Sequence, residues 1–290
     1  MNPKYPVFLP TKGRYELRHT IRAFEHIGVP FYPVVVPAEY DQYAAVVQDP
    51  SRIIVLPADV HGLVPTRNWI WDYAQSLGAA YFWTFDDNIR CFYRLHQNIK
   101  HRMTSGTFLC VIEDFAARYE NMAICGMQYE MFVPRKTKVP PIVLNTRVYS
   151  NMLIKTDIPY RNRGVYNDDT DLCLQVLKDG WCTTEFQAFL ADKIATMTIQ
   201  GGNTPIYQGD GRLKMAQELQ ARHPDVVKIA WKWGRWQHQV DYRPFKGNRP
   251  ILKKGVVIPD EPNNYGMVLR KRGEAPALDE REGFGEATEA

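Results

Sequence analysis

The chain is predicted to fold as an α/β protein with a doubly wound mixed sheet. Three observations predict it. Short apolar runs alternate with helix-compatible segments through the first half. One run, Tyr81-Phe82-Trp83-Thr84-Phe85, ends abruptly in Asp86-Asp87-Asn88. A second acidic cluster, Asp168-Asp169-Thr170-Asp171-Leu172, opens a helix-like segment in the second half. Strands alternating with helices imply a largely parallel sheet with right-handed crossovers.

Val7-Phe8-Leu9 reads as a first strand, ending in the turn-forming, basic loop Pro10-Thr11-Lys12-Gly13-Arg14. A helix follows over 16–27 and Gly28 closes it. Residues 31–36 and 52–56 read as the next strands. Residues 66–78 carry Trp69, Ile70, Tyr73, Ala74 and Leu77 at helical spacing, with Gly78 at the C-cap. The strand 81–85 is apolar throughout, as expected of one buried on both faces. Carboxylates are costly in such a core, so Asp86 and Asp87 must emerge at its C-terminal end. Open α/β sheets place their ligands at that edge.

Beyond it, residues 107–120 read as a helix and 122–129 and 147–154 as strands, with a loop between them containing Pro134, Pro140 and Pro141. Residues 168–180 form a helix with acids at its start and Gly180 at its end, and a polar helix covers about 213–222. The segment 199–212 is glycine-rich and reads as mobile. We expect a catalytic domain over 1–225, a basic aromatic extension over 226–270 packed on it, and a disordered tail over 271–290.

Composition narrows the class. Of 290 residues, 45% are hydrophobic and 23% charged, the balance of an ordinary globular protein. No apolar run approaches the roughly 18 residues that span a bilayer, and the first residues lack a signal-peptide apolar region. The cytoplasm is the expected location, with no membrane partner. Cys91, Cys110, Cys125, Cys173 and Cys182 are scattered without metal-like spacing and read as reduced thiols. The net charge of +4 is unevenly spread. Over 228–254, Lys228, Lys232, Arg235, Arg243, Lys246, Arg249, Lys253 and Lys254 interleave with Trp231, Trp233, Trp236, Tyr242 and Phe245. This mixture suits a polyanion with stackable bases; a solvated face with inward aromatics fits it equally.

The two acidic clusters carry the chemistry. Hard oxygen ligands at a strand end suit Mg²⁺ or Mn²⁺ with a phosphate-bearing partner, whereas a capped Asp/Asn turn would be the purely structural reading. In the second cluster, helix capping accounts for one or two carboxylates, at about 0.3–1 kcal/mol each. Three acids in four residues exceed that need and repel one another, which favours catalysis or acceptor binding.

Taken together, the loop 10–14, the pair Arg67-Asn68 ahead of Asp86-Asp87-Asn88, and Asp168-Asp169-Thr170-Asp171-Leu172 followed by Gly180-Trp181 resemble GT-A glycosyltransferases over roughly residues 6–190. Within that group the chain is most similar to the TET/JBP-associated glycosyltransferases of phage genomes, on Phe85-Asp86-Asp87-Asn88-Ile89, the aromatic strand before it, and Gly201-Gly202.

The resemblance implies a nucleotide-sugar donor, a UDP-sugar by expectation. Pro10, Thr11, Lys12, Arg14, Arg67, Asn68, Asp86 and Asn88 would bind it. It implies a divalent cation on Asp87, shared with Asp86 and with a late histidine, His238 being favoured over His223. It places the base at Asp169, supported by Asp168 and Asp171. The transferred group would be a hexose or N-acetylhexosamine, and the acceptor the 5-hydroxymethyl group of a modified pyrimidine such as 5-hydroxymethylcytosine in DNA, in the host cytoplasm if the gene is a phage's. Lys232, Arg235, Arg243 and Lys246 would then contact DNA, and Gly201-Gly202-Asn203 would close over donor. Asn88 departs from the family's usual Asp-x-Asp and implies a neutral or water-rich metal ligand. A glycan, lipid-linked or protein acceptor, a nucleotidyltransferase, and a non-catalytic DNA-binding module are the competing readings. The first loop lacks the glycine pattern a nucleotidyltransferase would need.

Overall fold

Strand β4 (Tyr81–Phe85) is buried along its whole length, and its alternating side chains enter two separate cores. Phe82 points to one face, where it packs edge-on to Trp71 at 5.4 Å. Phe85 points to the other and meets Phe24 at 4.9 Å. Trp83 shares that second face and donates its indole N–H to Glu113 at 2.9 Å. A period-two side-chain pattern with apolar neighbours on both sides is what makes this stretch read as an uninterrupted apolar run.

The coordinates are a computed structural model that describes residues 2–133, 139–194 and 210–258. In chain order the elements are β1 (Val7–Pro10), α1 (His19–Ile27), β2 (Tyr32–Val35), α2 (Tyr40–Ala44), β3 (Ile54–Val55), α3 (Leu63–Ser76), β4, β5 (Ile89–His96), β6 (Ile99–Arg102), α4 (Thr107–Ala117), β7 (Met122–Tyr129), β8 (Ile142–Leu144), β9 (Asn151–Lys155), α5 (Asp168–Lys178), β10 (Cys182–Lys193), α6 (Gly211–Arg222), β11 (Val227–Lys232) and β12 (Arg235–Val240). The main sheet runs β3-β2-β1-β4-β9-β7-β10-β5-β6, with β8 also on β10; β11 and β12 form a separate hairpin. Residues 1–253 make one compact unit, and 254–290 form the remainder. The expected tail over 271–290 and the loop Gly201-Gly202-Asn203 lie outside the described residues.

The sheet is mixed, as expected, and its parallel part is the one that the strand–helix alternation of the first half implied. Parallel pairing holds β3, β2, β1 and β4 together and returns between β7 and β10. Between them β9 is antiparallel to both β4 and β7, and β5 is antiparallel to β10. The hairpin of β5 and β6, the long β10 and the hairpin of β11 and β12 had no counterpart in the sequence reading, because their patterns are half-exposed or irregular. Several boundaries fall where expected. Gly28, at φ 65°, closes α1 in the left-handed conformation, and β4 and β7 match their predicted limits.

Helices α3 and α5 cover one face, with Ile70, Trp71, Leu172, Val176 and Leu177 packed on Phe8, Phe82, Ile124 and Ile154. On the other face Phe24 of α1 and Phe108 of α4 join Phe85, Phe92 and Phe189 through ring contacts of 4.9–6.1 Å. Gly126 sits where β7 crosses β9. A Cβ there would lie 2.2 Å from the Asn151 backbone carbonyl oxygen and 2.4 Å from Val148. Asn151 is itself fixed, accepting from the Met127 N–H at 2.5 Å and donating to the Met127 carbonyl at 3.1 Å. Because a backbone atom has to yield, Gly126→Ala should lower stability by about 1–3 kcal/mol, read as a shift of the denaturant midpoint at unchanged slope.

Candidate active site

The turn Asp86-Asp87-Asn88 leaves β4 at its C-terminal end and is clamped from several sides. Thr20, near the start of α1, donates its hydroxyl to the Asp86 carbonyl at 2.6 Å and accepts from the Ile89 N–H at 2.9 Å. The Asp86 N–H donates to the Ser150 carbonyl at 2.7 Å. These bonds fix the backbone, so the two carboxylates project from a rigid edge.

Asp86 is saturated. Its Oδ1 accepts from Arg67 Nη2 at 2.8 Å, and its Oδ2 accepts from Ser150 Oγ at 2.6 Å and Lys193 Nζ at 2.7 Å. Burial alone would raise its pKa, but the charges of Lys193 and Arg67 overcome this and hold it well below the ordinary carboxylate range. Asp87 has fewer partners, accepting from Thr11 Oγ1 at 3.0 Å and pairing with Arg14. Burial raises its pKa, Arg14 opposes the rise, and the Asp86 charge adds to it.

Arg67 is the joint of the site. It is 6% exposed. From the first turns of α3 its Nη2 reaches Asp86 and its Nη1 reaches Asp168 at 2.5 Å. One planar guanidinium thus spans the strand-end cluster and the helix-start cluster, using a fork that a lysine does not possess. Asp169 follows directly at the start of α5 and accepts from its neighbour Thr170 N–H at 2.6 Å. Its pKa is raised to about 6, first by burial and then by Asp168, with Arg67 pulling the other way. That value suits a group that takes a proton near neutral pH.

Lys193 reaches this site from the far end of β10. The register of β10 slips against β7 between Phe186 and Leu190, and against β5 between Ala191 and Lys193. Such irregularities re-aim side chains at functional edges, and here the strand ends beside the acidic turn, with the Ile194 N–H donating to the Asn88 carbonyl at 3.0 Å. Lys193 also donates to Tyr129 Oη at 3.1 Å and Ser150 Oγ at 2.5 Å. Sequence reasoning missed Lys193, Ser150, Tyr129 and Tyr43, which lie far along the chain from both motifs. Their only signal is topological, and needs the position of β10 to be known.

The remaining expected residues divide. Thr11 is buried, bonded to Tyr43 Oη at 2.7 Å and to Asp87, while Arg14 donates its N–H to Tyr43 Oη at 3.2 Å; Pro10 ends β1 beside them and Lys12 is exposed. Asn88 is buried, and its side-chain oxygen has no hydrogen-bond partner. Asn68 faces elsewhere, exchanging bonds with the Asn162 carbonyl at 2.9 Å and N–H at 3.0 Å. Asp171 is fully buried away from the reacting edge, bonded to Arg163 at 2.8 and 3.1 Å, to Gln175 at 2.7 Å and to His223 Nε2 at 2.8 Å. It therefore anchors α5 to α6, and His223 is committed to it.

His238 sits in β12 opposite Ile229. Burial, with help from Arg147, lowers its pKa to about 4, so it is neutral at physiological pH. Lys232 and Arg235 stand opposite each other at the tip of the β11–β12 hairpin. Arg243 is taken by Asp241 at 2.7–3.1 Å, and Lys246 is exposed in the turn Arg243–Gly247.

A divalent cation needs oxygens with unused lone pairs. Among the described residues no group of three His, Cys, Asp or Glu side chains is arranged to hold one. Asp86 takes three donors on its two oxygens, whereas Asp87 takes one on each, Thr11 on Oδ2 and Arg14 on Oδ1, and lies next to the unpartnered Asn88 oxygen. These residues fit a cation held through one carboxylate and completed by substrate phosphates and water, the mode Mg²⁺ favours.

The strand-end carboxylates are joined through Arg67 to the acidic start of α5, on a mixed sheet whose first half is parallel, the arrangement expected of a GT-A glycosyltransferase. Over residues 5–202 the chain matches the TET-Associated Glycosyltransferase family, and it belongs to that family. A solved structure from Desulfovibrio desulfuricans G20, provisionally described as a nucleotide-diphospho-sugar transferase, is similar at a TM-score of 0.41 and 8% identity, covering 76% of this chain and 96% of that one. None of the curated proteins matches the chain. No helix among the described residues is long and apolar enough to cross a membrane.

Removing the Arg67 guanidinium leaves Asp86 and Asp168 facing each other without their shared partner. Arg67→Met should therefore destabilise the fold by about 3–5 kcal/mol, and Arg67→Lys should restore only part of it, as measured by equilibrium denaturation.

Proposed function

We propose that this glycosyltransferase moves a hexose or N-acetylhexosamine from a UDP-sugar to the 5-hydroxymethyl group of a modified pyrimidine in DNA. The observation that carries the reading is the single Arg67 guanidinium bonded to both acidic clusters. It ties Asp86 and Asp168, the chain neighbours of Asp87 and Asp169, to each other, which supports a donor-side role for Asp87 and a base role for Asp169.

The charge balance supports a diphosphate with a cation. Arg14, Arg67 and Lys193 face Asp86, Asp87, Asp168 and Asp169, three cations against four carboxylates. A diphosphate deepens that negative excess, which a divalent ion offsets. Asp87 would hold Mg²⁺ or Mn²⁺, which when bound would supply charge stabilisation for the departing diphosphate. The side chains do the rest. Arg14 and the Thr11–Tyr43 pair hold the donor-side loop in place, and Lys193 keeps Asp86 ionised.

Asp169 takes the proton of the acceptor hydroxyl as its oxygen bonds to the anomeric carbon. The sugar–phosphate bond breaks in the same transfer, and the nucleoside diphosphate leaves with the electron pair. The hydroxymethyl group projects into the major groove, and the basic residues of the β11–β12 hairpin supply sequence-independent affinity for phosphates. The absence of acidic residues between Val226 and Val240 favours an anionic acceptor.

Incubation with Mg²⁺ or Mn²⁺, a panel of UDP-sugars and DNA containing 5-hydroxymethylcytosine or 5-hydroxymethyluracil, read by nucleoside mass spectrometry, tests this. A hexose or N-acetylhexosamine adduct is expected, and donor hydrolysis without any DNA adduct would send the acceptor assignment elsewhere. Asp87→Ala should remove donor binding and turnover together. Asp169→Asn should retain donor binding while slowing turnover by about 10²–10⁴-fold. Because a base must be unprotonated, the native rate should fall with decreasing pH through about 6, and this acid limb should be missing from the residual rate of Asp169→Asn.

A further inference from the structure

The β11–β12 hairpin is built against its own stability. Its two-residue turn places Trp233 at φ 51° and Gly234 at φ 69°. Such a turn ordinarily takes Asn-Gly or Asp-Gly, and a bulky residue in the left-handed region is an outlier. Trp233 is 82% exposed, so no burial offsets that strain. Directly behind the turn Lys232 pairs with Arg235, a like-charged cross-strand pair that is itself unfavourable. Neither takes part in a side-chain ion pair among the described residues. Trp231 and Trp236 form the next cross-strand pair, with ring centroids 5.2 Å apart and 59% and 39% exposed.

The register gives this surface a direction. Side chains alternate across a two-stranded ribbon, so Trp231 and Trp236 share a face with the pair Ile229 and His238. His238 lies within the field of Arg147, and Arg147 within that of Asp169. Tyr242, just past β12, also interacts with Asp169 and Arg147. The aromatic face therefore leads from the neighbourhood of the base outward to the turn bearing Trp233, which lies beyond roughly 10 Å of strand from His238 to Arg235 at about 3.3 Å per residue.

From these observations the geometry points to a stacking finger. Trp233 inserts between nucleobases of the DNA acceptor and holds the duplex open beside the active site, while Lys232 and Arg235 grip the flanking phosphates. This rests on the DNA-acceptor reading above and extends it to a mechanism of access. A polyanion relieves the Lys232–Arg235 repulsion, and a base face gives Trp233 the contact area that the fold withholds. Flat aromatic groups interleaved with cations form the recognition surface of unstacked nucleic acid, and a base lifted from the stack is the form in which enzymes reach base substituents.

The test uses the full chain and a duplex with 2-aminopurine next to a 5-hydroxymethylcytosine pair. Binding of the native protein should raise the 2-aminopurine fluorescence, the signature of lost stacking. Trp233→Ala should abolish the rise and weaken duplex binding by about tenfold, the scale of one lost base–aromatic stack, and Trp233→Phe should recover most of both. An unaltered melting temperature would show that the exposed substitution leaves the fold intact. Native affinity and a native fluorescence rise in Trp233→Ala would overturn the inference. So would Trp233-dependent binding to phosphatidylglycerol vesicles without any to DNA, which would make the hairpin a membrane contact. If the native enzyme glycosylates DNA regardless of residue 233, only the finger fails; if it modifies no DNA at all, the acceptor reading fails with it.

Discussion

The site depends on one buried guanidinium. Arg67 comes from a helix that packs on the sheet through Ile70, Trp71 and Ala74, so its position is set by the core rather than by the carboxylates it serves. A charge this deep needs close ion pairing, and Asp86 and Asp168 supply it at Nη2 and Nη1 from segments remote in sequence, while Nε has no hydrogen-bond partner among the described residues. The same contact that satisfies Arg67 brings β4 and α5 into register at the ligand-bearing edge. Stability and function therefore share an interaction, and neither acidic cluster is complete without the other.

Around that joint the carboxylates are set to different tasks by environment alone. Asp86, under Lys193, Arg67 and Ser150, is held ionised and becomes part of the scaffold. Asp87, paired with Arg14, has its pKa raised by burial, and Asp169, buried beside Asp168, is poised near neutrality. Asp171, only two residues on, is bonded to Gln175, and burial, which would raise its pKa, is overcome by His223 and Arg163, which lower it. Four neighbouring acids in two motifs thus sit in four different electrostatic environments.

Much of this was legible in the sequence, for physical reasons. A strand buried on both faces has to be apolar and has to shed its carboxylates at its end, so Tyr81–Phe85 and Asp86-Asp87 were readable together. The helix starting at Asp168 announced itself by its acids. Less legible was the partition of roles, since capping, catalysis and ion pairing all use aspartate. Arg67 was expected on the diphosphate, and its Nη1 and Nη2 are bonded to protein carboxylates; Asn68 was expected on the donor, and it fastens Asn162. Lys193 was invisible because β10 alternates imperfectly and slips register twice before reaching the site. The antiparallel insertion of β9 likewise follows from pairing, which no local pattern encodes.

The central claim is that Asp86 and Asp168 are joined through a shared partner. A double-mutant cycle of Asp86→Asn and Asp168→Asn, followed by equilibrium unfolding, measures this directly. Residues bound to one guanidinium should show a coupling of about 0.5–3 kcal/mol, whereas effects that add to within about 0.5 kcal/mol would mean that the two clusters stand apart and would contradict the account.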